Sequence, residues 1–278
     1  MQSSISKISA TELTELFANV HWHQKWEIFP GVFTPGNNPI EELCNYAQLP
    51  QDLSGKRVLD IGAWNGCFSF ECERRGAKEV IAYSLENPDV AGFNKLKAVL
   101  DSKVKYIQGS VYALDPEILG RFDIVLFFGV LYHLRYPLLA IDRIRTVCSG
   151  TVYTETHIAN SKLLLRKPFS LVGRLLNISA WFNSTPIWRQ YKEYELHPED
   201  RSNWFGPNMQ AVVESFESAG FDAVHLKTWN GDRAAFKADI KQELPDRIIS
   251  GSYEGVSTSN TELTGLPLHR DDLYKSES

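Results

Sequence analysis

Three groups of residues carry side chains or backbone suited to chemistry. The first is Asp60-Ile61-Gly62-Ala63-Trp64-Asn65-Gly66, an acid followed by two glycines four apart. Glycine has no Cβ, so backbone N–H groups in such a turn can approach a ligand closely, and a helix start just beyond adds further donors. Gly62 and Gly66 are expected to leave that room. Asp60 can brace the turn or accept hydrogen bonds from a ligand amine. The second group is Gly129-Val130-Leu131-Tyr132-His133. The imidazole of His133 titrates near neutrality, so it can act as a general base or serve as a structural ring tied to a backbone carbonyl. The third is Glu155-Thr156-His157, where Glu155 and His157 can line a pocket or where Glu155 can pair with an arginine of the segment that follows.

The turn argues against a dinucleotide. That fingerprint requires G-x-G-x-x-G, and here Ala63 and Trp64 follow Gly62 with no third glycine. The spacing suits a nucleoside bearing an amino-acid tail better than a pyrophosphate; an ordinary strand-to-helix connection is the bland alternative. His21 and His23 could hold a metal, but no carboxylate or cysteine stands beside them. The segment His21–Trp26 with Phe29–Gly36 reads instead as a packed aromatic flap, and no metal site is expected. Cys44, Cys67, Cys72 and Cys148 form no C-x-x-C pair, which excludes a zinc knuckle or redox pair. A net charge of −5 does not suggest broad nucleic-acid binding. The longest apolar run, Ile124 to Leu134, is too short to span a bilayer and the first residues lack a signal core, so a cytoplasmic protein is expected.

These groups need elements to hold them. The stretch from Arg57 opens as a short apolar strand launched by the turn at Asp52–Lys56, with Asp60 at its end; Asn65–Arg75 reads as a helix and Glu79–Ser84 as a strand. Asp89–Leu100, Val104–Gly109, Pro116–Gly120 and Phe122–Phe128 continue as helix, strand, short helix and a strand buried on both faces. Pro137–Val147 is a helix and Thr151–Thr156 a strand. Such alternation predicts a parallel sheet covered by helices, with ligands at the carboxyl ends of its strands. Glu71, Glu73, Arg74 and Arg75 read as a solvated helix face. Residues 157–205, aromatic and partly basic, read as a helical insertion. Pro207–Ala219 is a helix; Phe221–Trp229 and Arg233–Ile240 form a hairpin through Asn230-Gly231, adding an antiparallel strand at one sheet edge. This divides the chain into an N-terminal helix and flap (1–49), a main domain with its insertion (50–240) and a polar tail (241–278).

With these residues in view, roughly residues 50–240 resemble a class I S-adenosylmethionine-dependent methyltransferase. The match is to the family of the tRNA wobble-uridine enzyme that builds 5-oxyacetyluridine. It rests on Val58-Leu59-Asp60-Ile61-Gly62, on Gly129-Val130-Leu131-Tyr132-His133 with Pro137-Leu138, and on Glu155-Thr156. Asn203-Trp204-Phe205-Gly206-Pro207 is a weaker echo. The resemblance implies a Rossmann-like α/β fold with a seven-stranded, mostly parallel sheet ending in an antiparallel hairpin. It implies S-adenosylmethionine held by Asp60, Gly62, Ala63, Trp64 and Gly66, with Val111 and Tyr112 at the adenine and Phe128 and Gly129 under the sulfonium.

Two departures from the family matter. The acid that usually closes the second strand is Ser84 here, and Glu86 two residues on is the group able to reach the ribose instead. The family's Lys-Trp pair shortly before the first strand, which serves a carboxylated cofactor, is absent from Asn37–Asp52. Ordinary S-adenosylmethionine is therefore expected, with Tyr132 and His133 at the acceptor. The expected function is methyl transfer to a small or medium-sized molecule. The alternatives are tRNA modification, with the basic insertion gripping RNA rather than acting as a lid, and a non-catalytic nucleotide-binding module. The oligomeric state is left open.

Overall fold

The computed structural model describes residues 15, 17–159 and 184–241. The first strands among the described residues are four short ones: β1 (Gln24–Lys25), β2 (Glu27–Phe29), β3 (Val32–Phe33) and β4 (Asn38–Pro39). β1 pairs with β4 and β2 with β3, and helix α1 (Ile40–Tyr46) follows. The alternating unit then runs through β5 (Arg57–Ile61), α2 (Cys67–Arg74), β6 (Glu79–Ser84), α3 (Phe93–Leu100), β7 (Lys105–Gln108), α4 (Pro116–Leu119), β8 (Phe122–Phe128), α5 (Pro137–Val147) and β9 (Cys148–His157). The remainder is β10 (Trp188–Gln190), β11 (Phe205–Pro207), α6 (Met209–Ser218), β12 (Phe221–Trp229) and β13 (Arg233–Ile240).

Seven strands form one sheet in the order β12-β13-β9-β8-β5-β6-β7. β5 to β9 are mutually parallel, and β13 runs antiparallel to both β9 and β12. β13 therefore slots between β9 and β12 rather than lying at the edge. Asn230 and Gly231 turn the hairpin with φ of 52° and 81°, a left-handed pair that this dipeptide tolerates.

Period-2 alternation along β8 divides the core. Val125 and Phe127 face one cluster with Ile144 and Phe216, while Ile124, Leu126 and Phe128 face another with Phe70 and Phe93. Trp22 and Trp26 of the flap join the second cluster. Glu71, expected on a solvated face, is buried; it accepts from Trp26 Nε1 at 2.9 Å and Arg75 Nε at 2.8 Å and pairs with Arg74, tying the flap to α2. Burying that carboxylate is tolerable because each oxygen has a charged or N–H donor.

The expected helical insertion does not hold where it is described. Residues 185–205 are extended and turn-rich, and β10 pairs antiparallel with β11 as a ribbon beside the sheet. Residues 160–183, the tail from 242 and most of the first helix lie outside the described residues. Among those described, no helix is long and apolar enough to cross a membrane.

Candidate active site

Strand order reverses at β5, whose neighbours are β6 and β8. In an open parallel sheet this leaves a crevice at the carboxyl ends of β5 and β8. Gly62 leaves β5 into it with φ of 76°, and its N–H donates to Tyr83 O at 2.7 Å. A Cβ on Gly62 would lie 2.3 Å from Val130 Cγ2. One on Gly66 would lie 2.5 Å from the Phe93 ring. The space beside each bare Cα is taken by one of the protein's own side chains, Val130 at Gly62 and Phe93 at Gly66. The consequence is that the two motifs interlock: the loop carrying Tyr132 and His133 seats its Val130 methyl on the bare Cα of Gly62.

Asp60 braces the turn. It is buried and accepts from Ser69 Oγ of α2 at 2.6 Å, and burial pushes its carboxyl up to about 6. Ala63 packs into the core, and the Trp64 indole N–H donates to His21 O at 3.1 Å while its ring meets His23 at 5.2 Å. Trp64 thus ties the flap to the turn with its side chain. Ser84 Oγ donates to Glu86, and the Trp64 N–H reaches the same hydroxyl at 3.5 Å. Glu86, two residues beyond the strand end, is thus tied to the serine that stands there.

Val111 and Tyr112 lie in a single 3₁₀ turn after β7, capped by Ser110. The Val111 side chain packs into the core. Tyr112 accepts from the Tyr136 N–H at 3.0 Å. Phe128 packs edge-on against Phe68 with ring centres 5.0 Å apart. Gly129 follows with φ of 72° and donates to Glu155 O at 2.9 Å; a Cβ there would meet nothing nearer than Glu155 Oε2 at 4.0 Å.

Beside Gly129 the chain gathers its polar side chains. Glu155 is buried at the end of β9 and takes both arms of Arg233, at 2.6 and 2.7 Å. Its partner is therefore an arginine of the terminal hairpin, not of the insertion. The Arg233 guanidinium lies 4.9 Å from the Tyr132 ring centre, and burial raises the Tyr132 phenol above its ordinary range. His157 is 1% exposed, bonds the Tyr191 hydroxyl at 2.9 Å, and burial together with Arg233 lowers it to about 4. It is neutral at pH 7 and too weak a base for that pH. His133 is half-buried, with Nδ1 2.9 Å from Ser202 Oγ and 3.3 Å from Ser202 O; burial lowers its pKa. Trp204 N–H donates to Tyr132 O at 2.8 Å. Arg233, Tyr191, Asp200 and Ser202 went unforeseen; the Asn203–Pro207 echo, next to Ser202, was the available signal. Outside this cluster, a cleft of about 420 Å³ opens between Tyr136–Leu139 and the ribbon residues Trp188 and Phe205.

The sheet order, the glycine turn and the Tyr132-His133 loop together define a Rossmann-like methyltransferase fold. A family model described as a methyltransferase domain matches residues 40–226, and the chain belongs to that family. A tRNA U34 carboxymethyltransferase of Colwellia psychrerythraea is 29% identical over 228 residues, which cover 82% of this chain and 63% of that protein. A ubiquinone biosynthesis O-methyltransferase of Azotobacter vinelandii is 30% identical over 205 residues, 72% of this chain and 82% of that one. Among solved structures, the N-terminal domain of EvdMO1, with SAH and D-fucose, superposes with a TM-score of 0.59 at 20% identity, covering 83% of this chain and 95% of that one.

Proposed function

We propose that this chain is an S-adenosylmethionine-dependent methyltransferase acting on a small or medium-sized acceptor. The reading is supported by the Gly62–Gly66 turn, the Ser84–Glu86 hydrogen bond and the Gly129 backbone, which follow the carboxyl ends of the adjacent strands β5, β6 and β8. When bound there, the cofactor supplies a methyl group activated on a sulfonium sulfur. The residues fit such a group. Glu86, held by Ser84, offers a carboxylate to ribose hydroxyls, and Gly129 leaves open space at the strand end. Asp60, through Ser69, keeps the shape of the turn, whose backbone from Gly62 to Gly66 receives the amino-acid tail. Val111 offers backbone and Tyr112 its ring to the adenine, with Phe128 beneath.

In-line displacement depends on alignment, which a rigid floor and a wall of packed loops can provide. His133 accepts the proton of an acceptor hydroxyl or amine, and Tyr132 orients that acceptor. Arg233, stacked on Tyr132, already has both arms on Glu155, which favours the ordinary cofactor over a carboxylated one. The second reading is transfer to tRNA, favoured by the likeness to the Colwellia enzyme.

The test is thermal unfolding with S-adenosylmethionine, S-adenosylhomocysteine and the carboxylated cofactor in separate samples. A ligand at ~100 times its Kd adds about 2.7 kcal/mol of stability. Stabilisation by the first two is expected. A clear preference for the carboxylated form would move the reading to tRNA, and no shift from any would leave a non-catalytic module.

A further inference from the structure

We infer that Asp200 and Ser202 are positioning residues that set the tautomer of His133, placing its proton on Nδ1 and leaving Nε2 as the proton acceptor. The argument is one of counting protons. Ser202 Oγ lies 2.5 Å from Asp200 Oδ1 and 2.9 Å from His133 Nδ1. A hydroxyl has one proton, and an ionised carboxylate can only accept. Burial pushes the Asp200 carboxyl up, but the hydrogen bonds from Ser202 and the other donors outweigh it and hold it below the usual carboxylate range, so it is ionised at neutral pH. The Ser202 proton therefore goes to Asp200, and toward His133 the same oxygen can only accept. The second group near Nδ1, the Ser202 carbonyl at 3.3 Å, is also an acceptor. Nδ1 faces two acceptors and must carry the hydrogen. In a neutral imidazole the other nitrogen then holds the lone pair.

The loop is built to keep this arrangement. Ser202 N–H donates to Asp200 Oδ1 at 2.7 Å, and Asn203 Nδ2 donates to Asp200 O at 3.1 Å. Two residues on, Trp204 N–H is bonded to the Tyr132 carbonyl, which anchors the loop to the residue beside His133. Other charged and titratable groups act on the same ring. Asp200 Oδ2 lies 4.0 Å from Nδ1 and favours protonation, while Arg233, His197 and the flap's His23 oppose it. The role as base rests on the proposed methyl transfer. As the acceptor's lone pair forms the bond to the methyl carbon, the carbon–sulfur pair stays on sulfur and the acceptor's proton passes to Nε2. The resulting imidazolium is stabilised by Asp200 through Ser202. Among the described residues this Asp–Ser–His relay joins β11's leading loop to the loop after β8, elements about 70 positions apart in sequence.

The experiment needs no substrate. Histidine-15N protein at pH 8 is read by long-range proton–nitrogen correlation, with His133 assigned by the pattern that vanishes in His133→Gln. The expected pattern is a protonated Nδ1 and a bare Nε2. In Ser202→Ala the Nε2–H form should gain population, and in Asp200→Asn the His133 titration midpoint should move down. An Nε2–H tautomer in the wild type, or neither variant altering tautomer or midpoint, would overturn the inference. Calorimetry with S-adenosylhomocysteine on the same samples separates outcomes: lost binding speaks against the methyltransferase reading and leaves the tautomer result standing.

Discussion

The contact between Gly62 and Val130 predicts a specific coupling. Gly62→Ala places a Cβ 2.3 Å from Val130 Cγ2, well inside van der Waals contact, on a backbone with φ of 76°. The left-handed backbone costs an L-residue ~1–2 kcal/mol. Forcing the loop aside adds ~1–3 kcal/mol, the usual range for overpacking. The single variant should therefore lose ~2–5 kcal/mol, which lowers Tm by roughly 5–15 °C in a domain of this size. Val130→Ala removes Cγ2 and leaves the Val130 Cβ 3.7 Å away, an ordinary contact. In that background Gly62→Ala should cost only the backbone part. The double-mutant cycle, read by urea unfolding, should give a coupling of ~1–3 kcal/mol. Cofactor titration should weaken in Gly62→Ala and recover partly in the double variant, because the Tyr132-His133 loop settles back. An equal cost in both backgrounds would refute the claim that Val130 fills the glycine's space.

Two further perturbations test the polar interior. Arg233→Met leaves Glu155 buried without its cation and should cost ~3–5 kcal/mol, most of it regained in Arg233→Met with Glu155→Gln; chemical denaturation measures this, and a mild single variant would refute it. His157 and Asp60 should oppose each other below neutrality. His157, lowered to about 4, stays neutral in the fold while the unfolded chain protonates near 6.5, so its stability contribution is lost as pH falls from 6.5 to 4. Asp60, raised to about 6, keeps its proton in the fold while the unfolded carboxyl ionises near 3.8, so acidification over that window gains stability. At 1.36 kcal/mol per pH unit each amounts to roughly 3 kcal/mol. Asp60→Asn should expose the acid loss and His157→Gln the acid gain in denaturation from pH 7 to 4. Identical pH slopes in the two variants would sink this account.

Much of the architecture was legible in the chain because its signals are local. The apolar run Phe122–Phe128, the Pro137 helix start and the Asn230-Gly231 turn each impose a conformation on a few neighbouring residues. The observed β6, β8, α5, β12 and β13 have the bounds read from the sequence. Residues 185–205 were misread because their aromatic and basic composition has no clear period, and pairing with β11 made part of them a strand.

The sequence by itself determined the alternating elements, the glycine turn and the motif that ends in His133, since backbone preference and hydrophobic period act within a dozen residues. Only the tertiary structure decided what those residues touch. It gave Gly62 to Val130, Glu71 to Trp26, and Glu155 to Arg233 across 78 positions. Such partners are chosen by strand order and burial: a charge taken out of water must find its counterion wherever the sheet brings one. The same reason hid Asp200 and Ser202, ordinary surface letters in the chain, which the fold sets against the ring of His133.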